Sequence, residues 1–195
     1  MKKIYLLTIL ILGLFVFSGC TASPKNEDKA STQKEQKVAQ EFKFPGILTD
    51  EEIKNKKAII ETDKGIIEIE LYADKAPKTV SNFIYLAKNG FYNGLTFHRV
   101  VPGFVIQGGD PVGNGTGGPG YQFEDEPVQG DYKAGTLAMA NSGPDTNGSQ
   151  FFICLEDLAG LPKQYNLFGQ VTKGMDAVSK TQIGDKINKI SIEDK

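Results

Sequence analysis

The stretch Ala58-Ile59-Ile60-Glu61-Thr62-Asp63-Lys64-Gly65-Ile66-Ile67-Glu68-Ile69-Glu70-Leu71-Tyr72 holds two strand-like runs joined by Asp63-Lys64-Gly65. Ile67, Ile69 and Leu71 alternate with Glu68, Glu70 and Tyr72, so a period of two puts one set on a dry face and the other toward water. A hairpin with one buried side therefore opens the folded part of the chain. Directly after it the period changes. Val80, Phe83, Ile84 and Ala87 follow i, i+3, i+4, i+7 spacing, with Pro77 near the start and Gly90 past the end, which predicts an amphipathic helix. Short apolar runs then recur at Phe97 to Ile106, Gly135 to Ala140, Gln150 to Cys154 and Leu167 to Val171, separated by Gly-rich loops. A second helix is expected around Met175 to Lys180 and a last strand at Ile187 to Ile192. The pattern predicts a mainly β domain: an antiparallel sheet closed into a barrel with a helix at each end.

The chain has 195 residues, 39% hydrophobic and 24% charged, which fits one globular domain plus an extra segment. A net charge of −2 gives no broad attraction to a polyanion, so no nucleic-acid partner is expected. One histidine, His98, and two cysteines, Cys20 and Cys154, cannot build a four-ligand zinc site of the usual kind or a disulfide framework. Cys154, inside Phe151-Phe152-Ile153-Cys154, reads as a buried core residue.

The extra segment is N-terminal. Lys2 and Lys3, an apolar run from Ile4 to Phe17 and the small pair Ser18-Gly19 before Cys20 read as a secretory signal, too short for a permanent span. Phe17-Ser18-Gly19-Cys20 resembles a bacterial lipoprotein cleavage box, in which Cys20 becomes the acylated first residue. Residues 1–19 are thus expected as a signal peptide, 20–50 as the acylated cysteine and a flexible tether, and 51–195 as the folded domain. Thr21 to Lys43 is rich in Lys, Glu, Gln, Ser and Thr, with Val38 and Phe42 its only large apolar residues. The expected location is the extracytoplasmic face of the cell membrane, lipid-anchored.

Several chemistries fail on local grounds. Gly113-Asn114-Gly115-Thr116-Gly117-Gly118 matches G-x-G-x-x-G, but Pro119-Gly120 follows where a helix N-terminus must receive a pyrophosphate. A Ser/His or Cys/His dyad would have to recruit His98, whose neighbour Arg99 disfavours an imidazolium. His98 reads as a packed, hydrogen-bonded structural residue. Glu124-Asp125-Glu126 reads as a solvated turn rather than a cation site. Of the 22 basic residues, 21 are Lys and one is Arg99, so this guanidinium is a candidate for work that an ammonium cannot do.

Two segments stand out: Phe97-His98-Arg99-Val100-Val101-Pro102-Gly103-Phe104-Val105-Ile106-Gln107-Gly108-Gly109-Asp110, and Met139-Ala140-Asn141-Ser142-Gly143-Pro144-Asp145-Thr146-Asn147-Gly148-Ser149-Gln150-Phe151-Phe152. Each sets planar hydrogen-bonding groups beside aromatic rings, which suits a shallow groove for an uncharged, extended peptide. At these residues the chain resembles the cyclophilins, peptidyl-prolyl cis/trans isomerases, over about Lys57 to Ile192. The resemblance implies a closed eight-stranded antiparallel barrel capped by two helices, and a reaction without metal or cofactor. It assigns Arg99 as catalytic, Phe104, Val105, Phe152 and Leu161 to the proline pocket, and Gln107, Ala140, Asn141 and Gln150 to the peptide path. Tyr165 joins the pocket rim at a position often held by His, Val105 stands where Met is frequent, and Gly160 precedes Leu161 where many members have Trp. That missing Trp usually contributes to affinity for the cyclic peptide cyclosporin. The function implied is a monomeric, surface-anchored isomerase that speeds the folding of exported X-Pro-containing polypeptides. The competing class is a proline-peptide-binding surface chaperone or adhesin-like module with incidental turnover.

Overall fold

In the computed structural model, which describes residues 41–195, a single helical turn, α1 (Asp50–Ile53), leads into the expected hairpin. Its strands are β1 (Lys56–Thr62) and β2 (Gly65–Leu71), paired antiparallel from Lys57 opposite Glu70 to Thr62 opposite Gly65. Thr62 closes the turn, its hydroxyl donating to the Gly65 carbonyl at 2.8 Å and accepting the Lys64 N–H at 3.1 Å. Ala58, Ile60, Ile67 and Ile69 are fully buried, as the alternation requires.

The amphipathic segment forms α2 (Pro77–Lys88), burying Val80, Phe83, Ile84, Leu86 and Ala87. Pro77 costs nothing at a first turn whose amides lack intrahelical partners. Ala76, at the N-cap, has no side-chain acceptor for the amides that follow. Glu126 supplies one from 48 positions away: its carboxylate accepts the Lys78 and Thr79 N–H groups at 2.8 and 2.9 Å and the Thr79 hydroxyl at 2.6 Å. The acidic triplet is therefore not the solvated turn that its composition suggested. Glu126 is a buried helix cap, Glu124 pairs with Lys78, and Asp125 and Asp145 each donate a backbone N–H to the other's carboxylate.

The other strands are β3 (Arg99–Val101), β4 (Val105–Gly108), β5 (Thr136–Met139), β6 (Phe151–Cys154), β7 (Leu167–Lys173) and β8 (Ile187–Asp194), with α3 (Met175–Lys180) before the last. All pair antiparallel in one eight-stranded sheet of order β3-β4-β6-β5-β7-β2-β1-β8. The helices lie as expected in sequence, and α2 packs on β8 while α3 packs on β2. The expected closure of the ladder is not seen. β3 and β8 are its two edges, and the segments entering them meet at one isolated bridge, Thr96 with Lys186. The run expected from Phe97 to Ile106 breaks at Pro102-Gly103, which leaves β3 three residues long and without the length to ladder along β8.

The packed chain also begins before the expected boundary at residue 51. Phe42 meets Tyr85 and Phe91 edge-on at 6.2 and 5.1 Å, Phe44 stacks on Phe123 at 5.1 Å, and Leu48 joins the same core. Three apolar residues within seven positions suffice for this, but the polar composition upstream hides them. The expected signal peptide, Cys20 and the expected tether as far as residue 40 lie outside the described residues.

Candidate active site

Pairing of four strands builds the site from alternate residues. Arg99 lies opposite Gln107, Gln107 opposite Phe152, and Phe152 opposite Ala138, so these four share one face of the sheet. Val105 opposite Cys154 continues that face. Their chain neighbours Ile106, Ile153 and Leu137 point the other way, into the main core. The site face carries its own apolar cluster: Val105, Tyr132, Ala138, Phe152, Cys154 and Leu167 are buried, with Phe104, Ala140, Leu161 and Tyr165 partly buried at its rim. All six apolar site candidates fall in this one cluster. Cys154 is fully buried, and burial pushes its thiol up to about 12, so it stays protonated and serves as packing.

Aromatic geometry fixes the pocket wall. Tyr165 stands edge-on to Phe152 at 5.5 Å and 85°. Tyr132, which sequence reasoning missed, clamps Tyr165: its hydroxyl donates to the Tyr165 carbonyl at 2.8 Å and accepts the Tyr165 N–H at 3.0 Å. Only its isolation as an aromatic in Gly130-Asp131-Tyr132-Lys133 could have signalled it.

The polar groups form a relay along the rim. An Arg99 guanidinium N–H donates to Gln107 Oε1 at 3.3 Å, and its carbon lies 5.6 Å from the Phe104 ring centre. Gln107 Nε2 donates to Gln150 Oε1 at 2.9 Å, and Gln150 Nε2 donates to the Gly115 and Gly117 carbonyls at 3.0 and 2.8 Å. Among the described residues Arg99 has no carboxylate partner, so its positive charge is uncommitted. Asn141 Nδ2 donates to the Gln164 carbonyl at 2.9 Å and ties the two loops that flank the pocket.

The glycine-rich loop is shaped by Asp110, a second residue that the sequence reading passed over. Its buried carboxylate accepts the Val112 N–H at 2.8 Å and the Asn114 and Gly115 N–H groups at 2.9 and 2.5 Å. Burial alone would raise this carboxyl, but the backbone donors outweigh it and hold it below the usual carboxylate range. A Cβ on Gly117 would lie 2.0 Å from Asp110 Oδ1, so only glycine fits there. No helix follows the loop, whose carbonyls face Gln150 instead of a phosphate. Beside the aromatic pocket it lines a groove of about 850 Å³ with Gln107, Ala140, Asn141 and Gln150, of which Ala140 also belongs to the pocket cluster. His98 differs from its expected state: both ring nitrogens are buried but neither has a hydrogen-bond partner. Burial lowers its pKa, with Asp110 opposing the shift and Arg99 assisting it, so the ring is neutral near pH 7.

The family model described as cyclophilin type peptidyl-prolyl cis-trans isomerase/CLD matches residues 57–194, which contain every element from β2 to β7 that builds this site. The chain belongs to the cyclophilin-type peptidyl-prolyl cis-trans isomerases. A peptidyl-prolyl cis-trans isomerase of Helicobacter pylori is 47% identical to it over 148 residues, covering 74% of this chain and 91% of that one. Peptidyl-prolyl cis-trans isomerase B of Bacillus subtilis is 50% identical over 134 residues, 67% of this chain and 93% of its own. A crystal structure of a Cryptosporidium parvum cyclophilin-type isomerase, determined in the presence of the dipeptide Ala-Pro, superposes with a TM-score of 0.66 at 34% identity. It covers 71% of this chain and 99% of that one. In this cyclophilin the rim at Gly160 is open: nothing lies within 4 Å of where a Cβ would sit.

Proposed function

We propose that this cyclophilin isomerises X-Pro bonds of exported polypeptides at the outer face of the bacterial cell membrane, anchored by a lipid on Cys20, with Arg99 as its catalytic residue. The observation that carries the chemistry is the uncommitted guanidinium of Arg99, held by Gln107 over Phe104 at the edge of an apolar aromatic pocket. Rotation about an amide costs about 18–20 kcal/mol because the planar form is resonance-stabilised. In the twisted transition state the proline nitrogen keeps its lone pair, and a donor aimed at that nitrogen binds it more strongly than either planar state. Arg99 is that donor. Phe104, Val105, Phe152, Leu161 and Tyr165 hold the ring, while Gln107, Ala140, Asn141 and Gln150 fix the flanking backbone as the carbonyl side turns. Only a torsion changes, so the step needs no covalent intermediate and no cofactor.

Support for the location is the apolar run Ile4 to Phe17 ending at Gly19-Cys20. X-Pro bonds left alone take tens to hundreds of seconds to isomerise, slow enough to limit folding outside the cell. A protease-coupled assay of the full chain on a short X-Pro peptide tests the activity. Binding without turnover would move the assignment to a proline-peptide-binding chaperone.

A further inference from the structure

The segment ahead of the family-matched residues does more than join a tether to a domain. Its two aromatic anchors contact different parts of the molecule. Phe42 packs on Tyr85 and Phe91, at the end of α2 and just beyond it. Phe44 instead stacks on Phe123, with ring planes 10° apart, and meets Tyr121 at 6.0 Å. Tyr121 lines the 850 Å³ groove, and Phe123 is buried behind it. Phe123 and Asn147 exchange backbone N–H bonds at 2.9 and 3.3 Å, which ties the two walls of the groove together.

Two further links bind these walls to α2. The Tyr121 hydroxyl donates to Asn82 Oδ1 at 2.7 Å, and Asn82 Nδ2 donates to the carbonyl of Gly148, a groove residue, at 2.8 Å. One residue earlier on the helix, Ser81 Oγ accepts the Leu48 N–H at 3.0 Å. Residues 42–48 are thus pinned at both ends, with Phe44 pressed against the back of the groove.

We infer that Phe44 is a positioning residue for the substrate groove: the strap 42–48, outside the 57–194 family match, sets the spacing of walls Tyr121–Phe123 and Asn147–Gly148 and so the affinity for residues flanking the proline. This rests on the groove being part of the peptide path, as proposed above. The proline pocket itself is built by Phe104, Val105, Phe152 and Tyr165, none of which stacks on the strap aromatics. The strap therefore acts on substrate length and leaves the isomerising step alone.

The test uses full-length protein and two uncharged peptides, a short X-Pro substrate and one extended by several residues on each side. In wild type the extended peptide has the lower KM. Phe44→Ala raises its KM about three- to tenfold, with kcat and the short-peptide constants within about twofold of wild type. Phe44→Tyr restores the low KM, because it keeps the stacked ring. Phe42→Ala removes the anchor that does not touch the groove, lowers the thermal midpoint and leaves both KM values in place. Equal losses on both peptides, or an effect of Phe42→Ala matching that of Phe44→Ala, would overturn the inference and make the strap a stability element alone. Equal wild-type KM values for the two peptides would overturn it together with the groove's place in the peptide path, while turnover of the short peptide would still uphold the proposed isomerase.

Discussion

Replacing Arg99 separates catalysis from binding more sharply than any other change in this site. The guanidinium is exposed, so alanine leaves no buried group without a partner; Gln107 keeps its 2.9 Å bond to Gln150, and Phe104 keeps its place in the pocket cluster. The fold should therefore survive. What is lost is one charge-assisted hydrogen bond made chiefly in the twisted state, worth roughly 2 to 4 kcal/mol where carboxylates do not compete for the cation. At about 1.4 kcal/mol per factor of ten, kcat/KM falls by about 30- to 1000-fold. Arg99→Lys recovers only part of this. An ammonium is a point charge, whereas the planar fork can hold Gln107 with one arm and direct another at the proline nitrogen. Ground-state affinity for a proline peptide changes by no more than about threefold, since the planar amide gains little from the donor. The assay is protease-coupled turnover over a range of substrate concentrations, with peptide affinity from NMR titration and circular dichroism to confirm the fold. An alanine variant within threefold of wild-type turnover would refute the mechanism.

Other expectations follow from the same geometry. Tyr132→Phe leaves the partly buried Tyr165 carbonyl and N–H without their partner, which lowers stability by about 1–3 kcal/mol in urea titration and raises KM as the pocket wall loosens. Acid should destabilise the domain in two stages, because His98 and Asp110 both have folded pKa values below their usual 6.5 and 3.8. Each contribution is fully present above the unfolded pKa and is lost as pH falls through the folded one, so the thermal midpoint drops first below about pH 6.5 and again below about pH 4. His98→Gln removes the first stage; a wild-type midpoint that is flat from pH 7 to 5 contradicts it. On the proposed lipid anchoring, Cys20→Ala moves the protein out of the membrane fraction, since acyl chains contribute about 0.8 kcal/mol per buried methylene. Wild-type protein that takes up no labelled fatty acid rules the anchor out.

Elements set by local pattern were legible in the sequence. The β1–β2 hairpin and α2 follow from periods of two and 3.6 with Gly or Pro at the ends, and α3 lies where a second helix was expected. Features made by distant partners were not. Glu126 caps a helix 48 residues upstream, which no spacing rule reveals in a run of three carboxylates. The open edge between β3 and β8 depends on how far a three-residue strand can reach, not on hydrophobicity. Arg99, Gln107 and Gln150, singled out for their chemical character, lie in one hydrogen-bonded row, and Asn141 lines the same groove as the two glutamines, whereas Tyr132, which clamps Tyr165, and Asp110, which shapes the glycine-rich loop, looked like ordinary loop residues. Phe42 and Phe44 were hidden for a third reason: composition averages a window, and two rings in a polar window do not change the average.

The two faces of one sheet also explain how a small domain carries an apolar pocket on one side without weakening the core on the other. Ile106 and Ile153 are fully buried in the main core, while Gln107 and Phe152, one position away on the same strands, face the site. A residue added to either strand would exchange the two sets, placing a polar amide in the core and an isoleucine in the pocket. Register is therefore under constraint from both sides, and glycine marks where it is enforced. Gly109, at φ 84°, directly follows β4 and has space for no Cβ, since one would lie 2.4 Å from the Ser149 carbonyl. The Ser149 hydroxyl then donates to the Gly109 carbonyl at 2.6 Å, locking the start of β6 against the end of β4. Gln107 and Gln150 sit two residues before Gly109 and one after Ser149. The amide relay that holds Arg99 thus inherits its spacing from a backbone contact that no side chain could replace.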